Sequence, residues 1–286
     1  MNLQIQPLSP GLYFVATPIG SARDITLRAL DILASADVIA AEDTRSMRRL
    51  LEIHGVKLGD RPLIAYHDHS GQQVRARLLA YLGEGKSVAY ASEAGTPLIA
   101  DPGFDLSRQA AEAGHLVTSA PGASAILTAL TLAGLPTDAF FFAGFLPNAK
   151  SQRKSALMAL KDIPGTLVFY ESPKRVGEML RDAGEVLGAG RQAAWCRELT
   201  KKFEECRRGT LAELAESTAQ EKPRGEFVVL IDRNRSADVN EADLETELEK
   251  ALQTMSVRDA SDAVSVAFGM PRRKVYQLAL KLGGGK

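Results

Sequence analysis

The stretch ASEAGTPLIADPG, residues 91–103, follows a short apolar, β-prone run, Ser87-Val-Ala-Tyr. Residues 104–113 after it have helical spacing. A strand-to-helix connection usually takes about two to six residues. This one is far longer and carries Gly95, Pro97, Pro102 and Gly103. A connection so long and stiff must do more than reverse the chain. The strand before it and the helix after it also repeat in both directions along the sequence.

Before the loop, strands are expected at 12–16, 38–41, 63–66 and 88–91, with helices at 26–34, 44–53 and 72–82. After it come a helix at 104–113, a strand at 116–119 and a helix at 124–132. Leu27, Leu30 and Leu33 share one helical face, and Met47, Leu50 and Leu51 another. Short apolar strands alternating with helical periods predict a parallel, doubly wound sheet. After Leu135 the rhythm changes. Strands at 140–145, 166–170, 193–196, 203–207 and 227–231, with helices at 152–161, 176–187 and 211–217, predict a mixed sheet. The segments 193–198 and 203–208 are spaced for a hairpin. Past a polar linker, Leu244, Leu248, Ala251, Leu252 and Met255 keep helical spacing, as do Ala260, Ala263, Val264, Ala267 and Phe268. Gly269-Met-Pro271 breaks the chain, Pro271 suits a first helical position, and Val275, Leu278 and Ala279 begin another helix. The predicted class is therefore α/β. It comprises a Rossmann-like domain over 1–135, a second α/β domain over 136–234, and a helical, helix-turn-helix-like module over 235–286.

Composition narrows the function. The 286 residues carry no net formal charge, and 45% are hydrophobic. No global field draws the chain to nucleic acid. Basic clusters at Arg45/Arg48/Arg49, Lys150/Arg153/Lys154, Lys201/Lys202/Arg207/Arg208 and Arg272/Arg273/Lys274 are local, and each reads first as a solvated face. No apolar run reaches the roughly 20 residues of a membrane span, and residues 1–10 have no secretory pattern. A cytoplasmic protein with reduced Cys196 and Cys206 is expected. Zinc-ligand spacing is absent, so no metal is expected.

Ligands of doubly wound sheets bind at the carboxyl ends of the strands. The expected loops there are unusual: Thr17-Pro-Ile-Gly20, Glu42-Asp-Thr-Arg45, His67-Asp-His69, the 91–103 stretch, and Ala120-Pro-Gly-Ala-Ser124. Together they predict a ligand site. Neither the dinucleotide fingerprint nor the P-loop pattern is present, so the ligand lacks the usual phosphate cradle. Taken singly, Ser124 and Asp43 also suit helix capping, and adjacent histidines alone are a weak metal signal.

In that order, TPIG, AEDTR, HDH, SEAGTPLIADPG and APGASA resemble the tetrapyrrole methylase superfamily. With FYESPKR (169–175) and RELTK (197–201), they resemble the ribosomal RNA small-subunit methyltransferase I family within it. The likeness spans 11 to about 232, and the helical tail also fits. It implies S-adenosylmethionine as donor, bound in a cleft between the domains. It implies a decoding-region cytidine 2′-hydroxyl of small-subunit ribosomal RNA, naked or in the assembled 30S subunit, as acceptor, and a homodimer. By position the donor contacts are Pro18, Ala94, Gly95, Thr96, Ile99, Ser124, Ala125, Glu171 and Leu199, with loop amides taking the donor's carboxylate. Glu93 stands where a shorter Asp is expected, so reach differs there. RNA contacts are expected from Arg45 and from Lys174, Arg175 and Lys201, which equally read as surface charge; the tail's Arg272, Arg273 and Lys274 open a helix whose N-terminus would suit an RNA phosphate.

A ribose hydroxyl is a poor nucleophile, so a general base is expected. Asp101, Asp43 and His67 are the leading candidates, with Glu42 and Lys201 behind them, and Asp101 is preferred for its place in the loop. The alternatives are a tetrapyrrole C-methyltransferase and a non-catalytic RNA-binding protein. Basic clusters and the helical tail oppose the first. So does the TPIG run where porphyrin-type relatives tend to carry Gly-Pro-Gly-Asp. The intact loops oppose the second.

Overall fold

The structure, a computed structural model, describes residues 3–67, 72–220, 224–234, 241–268, 270 and 272–283. Its first sheet holds β1 (Gly11–Val15), β2 (Val38–Ala41), β3 (Leu63–Ala65), β4 (Ser87–Ala91) and β5 (Leu116–Ala120), in the order β3-β2-β4-β1-β5. Every pairing is parallel. The helices between and after them are α1 (Leu27–Ser35), α2 (Thr44–Ile53), α3 (Gln72–Gly83), α4 (Phe104–Glu112) and α5 (Ala125–Ala133). All of β1, β2 and β4 is buried, as expected when helices cover both faces of a parallel sheet. Alternate residues serve opposite cores: Tyr13 and Val15 pack with α1 and α2, Leu12 and Phe14 with α3 and α4. Leu27 departs from expectation. It is 64% exposed, because α1 turns Ala29, Leu30, Ile32 and Leu33 to the sheet.

The second sheet is mixed, in the order β6-β7-β10-β8-β9. Its strands are β6 (Phe140–Phe145), β7 (Thr166–Glu171), β8 (Gln192–Arg197), β9 (Glu205–Thr210) and β10 (Phe227–Ile231), with α6 (Lys150–Ala159), α7 (Val176–Leu187) and α8 (Leu211–Gln220). β6 and β7 are parallel; the other pairings are antiparallel, including the expected β8–β9 hairpin. β9 begins two residues later than the sequence suggests, leaving Phe203 69% exposed. The chain between the strands contains Thr200 at φ 62, a left-handed turn that cannot extend a ladder. α7 and α8 pack on one face around Trp195 and Phe169. The other face receives α5 of the first domain: Ile126 and Leu130 lie among Val168, Ala194, Val228 and Leu230. That helix joins the two domains.

The tail forms α9 (Glu241–Leu252), α10 (Val257–Ala267) and α11 (Arg272–Gly283), closed around Leu244, Leu248, Ala260, Val264, Val275 and Ala279. Asp68 and His69 of the HDH run, and Gly269 and Pro271 of the tail's break, lie outside the described residues. Among the described residues no helix is long and apolar enough to cross a membrane.

Candidate active site

All five parallel strands end on one edge of the first sheet, so their loops gather there. The loop after β4 is fixed from several sides. Gly95 and Thr17 exchange backbone hydrogen bonds of 3.0 and 2.9 Å. The Ser92 hydroxyl donates to the Gly95 carbonyl (2.8 Å), and the Thr96 hydroxyl to the Ala123 carbonyl in the loop after β5 (3.0 Å). Farther along, Tyr90 donates its phenol proton to the Pro102 carbonyl (3.0 Å). Two non-glycine residues, Leu98 and Ala100, are held at φ 71 and 60. Left-handed backbone of this kind costs of order 1 kcal/mol or more per residue and persists only where the surroundings enforce it. Gly103 sits at φ 122, where an L side chain is strained, and a Cβ there would push against Leu98 Cδ2 at 2.7 Å.

Across the edge stands the second domain. Gly20 packs so closely that a Cβ would fall 2.6 Å from Thr200 Oγ1 and 2.8 Å from the Leu199 carbonyl. The Ser21 N–H donates to Thr200 Oγ1 at 3.0 Å. Here too the backbone is strained, with Glu198 at φ 49 and Thr200 at φ 62.

Between these walls lies a cavity of about 750 Å³, within the roughly 300–1,000 Å³ of small-molecule sites. All nine residues expected at the donor line it: Pro18, Ala94, Gly95, Thr96, Ile99, Ser124, Ala125, Glu171 and Leu199. Asp101 and Lys201 line it too. Among the described residues the lining carries six carboxylates, from Glu42, Glu93, Asp101, Glu171, Glu198 and Glu226, against one cation, Lys201. An acidic, half-enclosed wall favours a cation and repels a phosphate. Glu171 is 3% exposed, and burial pushes its carboxyl above the usual range, against the Ser172 hydrogen bond and Arg175. One of its oxygens, Oε2, has no hydrogen bond although Arg175 lies 3.3 Å away. The Tyr170 phenol is pushed up to about 12, first by burial and then by the charges of Asp101 and Glu226. Asp101 and Tyr170 thus line the same cavity from the two domains.

The remaining expected residues lie elsewhere. Asp43 caps α2, accepting from Arg45 N (2.7 Å) and Ser46 N (3.3 Å). The Arg45 guanidinium, then these N–H groups, hold its carboxyl at about 2, where it is a weak base. Arg45 is 91% exposed at the rim and pairs with Asp43 at 3.0 Å. His67 is exposed at the end of β3 and does not line the cavity. Lys174 is exposed. Arg175 is used inside the fold, donating to the Leu146 carbonyl at 2.6 Å. Lys201 Nζ lies 3.0 Å from Glu198 and 3.4 Å from Glu226. Desolvation pulls its pKa down, but these carboxylates outweigh it and the pKa is raised. Of the tail's cluster, Arg272 pairs with Asp262 of α10, while Arg273 and Lys274 are exposed. The Gly95 amide is spent on Thr17, so it is not free for a ligand carboxylate. Tyr170, Glu198 and Glu226 were not singled out by the sequence, and Gly20 only as the end of the TPIG loop. Tyr170 and Glu198 sit inside the FYESPKR and RELTK runs, whereas Glu226 had no signal.

The fold and this cavity define the class: the tetrapyrrole (corrin/porphyrin) methylase family, which matches residues 11–215. A cobalt precorrin-4 methyltransferase structure superposes with a TM-score of 0.58 over 77% of this chain and 94% of that one, at 17% identity. A diphthine synthase does so at 0.60, over 77% and 89%, at 16% identity; these likenesses concern the fold. Within the class, the chain belongs to the ribosomal RNA small subunit methyltransferase I proteins. It is 46% identical to that protein of Mesorhizobium japonicum over 98% of this chain and 95% of the relative. To that of Bacillus subtilis it is 37% identical over 93% and 92%. The RsmI C-terminal HTH domain family matches residues 238–283. The chain is therefore a methyltransferase, and its methyl donor is S-adenosylmethionine. The cavity fits that donor: acidic walls suit a sulfonium and an ammonium, Gly95 gives close backbone approach, and Glu171 Oε2 is a buried acceptor without a hydrogen bond.

Proposed function

We propose that the protein methylates the 2′-hydroxyl of a cytidine ribose in the decoding region of small-subunit ribosomal RNA. The observation that carries this is the cavity lined by all nine residues expected at the donor, in a chain that shares nearly its whole length with named ribosomal RNA methyltransferases. Bound there, the donor supplies an electrophilic methyl group. The chain's own residues do the rest. The Thr17–Gly95 bridge and the Thr96–Ala123 hydrogen bond hold the loop, and the Gly20–Thr200 contact closes the domains over it. Positioning of this kind is what methyl transfer most needs. Asp101 is the candidate general base, since Asp43 is committed to its cap and His67 lies outside the cavity. Arg45 at the rim, and Lys174, Arg273 and Lys274, are the exposed cations for RNA phosphates, which position a substrate without specifying it.

In this reading 1–135 and 136–234 enclose the donor, and 235–286 grips the RNA. The site of action is cytoplasmic. A homodimer belongs to the same reading, supported by the exposed Phe140 and Phe141 on edge strand β6. The test is methylation of small subunits from a strain lacking the gene, with naked ribosomal RNA and a uroporphyrinogen as rival acceptors. Label on one decoding-region ribose is expected. Label on the tetrapyrrole, or none on RNA or subunits, refutes the reading.

A further inference from the structure

Cys196 and Cys206 face each other across the β8–β9 hairpin. They are direct partners in the antiparallel register, and their Sγ atoms lie 3.2 Å apart. Opposed antiparallel residues have Cα atoms about 4.5 or 5.5 Å apart, inside the roughly 4.4–6.8 Å that a disulfide spans. The bond itself is about 2.05 Å, so the sulfurs must close by roughly 1.2 Å. Side-chain rotation can supply that without moving either strand.

The two thiols are unequal. Cys196 is fully buried, whereas Cys206 is half-buried on the edge strand β9. The Cys196 S–H donates to Cys206 Sγ, which lowers the pKa of the Cys206 thiol; desolvation opposes this and Arg208 assists it. The same contact raises Cys196. Neither residue lines the donor cavity. Their sulfurs lie against α5, with the Leu132 carbonyl 3.6 Å from Cys206 Sγ and the Ala129 carbonyl 4.0 Å from Cys196 Sγ. This chemistry is separate from methyl transfer.

We propose that this pair is an oxidative modification site, taking a hydroperoxide as its co-substrate, with Cys206 attacking and Cys196 resolving. In the first step the Cys206 thiolate attacks hydrogen peroxide. An S–O bond forms, the O–O bond breaks, and the hydroxide released leaves as water after taking a proton. Cys206 is then a sulfenic acid, oxidised by two electrons. In the second step Cys196 sulfur attacks Cys206 sulfur. The S–S bond forms, the S–O bond breaks, and hydroxide leaves with the Cys196 proton as a second water. In sum, two thiols and one peroxide give one disulfide and two waters. A small-molecule thiol reverses it by exchange. Reducing compartments keep such pairs as dithiols at rest, so the disulfide is a transient state.

The full chain, reduced and desalted, should be treated with a small excess of hydrogen peroxide, then alkylated and weighed intact. Two alkylatable thiols should fall to none, with one disulfide inside each chain and recovery in dithiothreitol. With dimedone present, Cys196→Ser should accumulate an adduct on Cys206. Cys206→Ser should react about tenfold more slowly or less. Cys206→Ala repeats this, and melting curves confirm folding of each variant. The proposal is overturned if both thiols stay alkylatable, if the disulfide joins separate chains, or if Cys206→Ser reacts as fast as Cys196→Ser.

Discussion

Replacing Gly95 tests the donor loop most directly, because two separable costs meet there. Its φ is +84, and a Cβ would lie 3.2 Å from Ile19 Cγ2 and 3.7 Å from the Ala123 carbonyl. An L side chain in that backbone costs roughly 1–2 kcal/mol. For alanine the contacts are tight but tolerable, so strain dominates. For valine the β-branch adds atoms toward Ile19 and the cavity, and positive φ is a genuine outlier. If the loop relaxes to negative φ in the free protein, the Thr17–Gly95 bridge is lost and donor binding must restore it. A cost of about 1–2 kcal/mol then appears as a roughly 5–30-fold rise in Kd. Gly85 is the matched control: its φ is +74, and nothing lies within 4 Å of a Cβ. Gly85→Ala should carry the strain and lower Tm by a few degrees, while leaving donor affinity alone. Calorimetric titration with S-adenosylhomocysteine and thermal melts read both quantities. Gly95→Ala is expected to weaken binding within the stated range, and Gly95→Val to abolish measurable binding in a folded protein. A folded Gly95→Val that binds as tightly as Gly85→Ala would refute the placement of the donor against this loop.

Asp101→Asn should lower turnover by about 10²–10⁴-fold with donor affinity unchanged if Asp101 is the base; a loss under roughly tenfold in single-turnover assays removes it. Asp43 should titrate by NMR near 2, below its unfolded value of 3.8. Its stabilising contribution is therefore complete above 3.8 and lost as pH falls through about 2, and Asp43→Ala should abolish that pH dependence. Arg153 and Asp182 form a buried pair at 2.7 Å joining α6 to α7. Arg153→Ala should cost roughly 3–5 kcal/mol by denaturant titration, and Arg153→Met with Asp182→Leu much less. In the tail, Arg273→Ser with Lys274→Ser should raise the KM for small subunits and flatten its salt dependence without affecting donor binding. Unchanged kinetics would return the module to packing.

Much of this protein is local and therefore legible in sequence. The β-α alternation, the caps at Asp43 and Ser124, and α2 and α7 to the residue all follow from periodicity and side-chain chemistry within a few positions. The loop after β4 announced itself by its glycines and prolines, and its resemblance led to all nine cavity residues. Other properties depended on neighbours distant in the chain. Arg45 and Arg175 read alike as exposed cations, yet one sits at the rim while the other is bound to the Leu146 carbonyl. Lys150, Arg153 and Lys154 read as a basic patch, yet the fold spends Arg153 on Asp182. Glu226, with no motif around it, reaches the cavity because β10 lies between β7 and β8. Cys196 and Cys206 meet only through the hairpin register. A charge or thiol acquires its role from the partner that folding sets beside it. That partner follows from sheet order and domain packing, which no window of sequence contains.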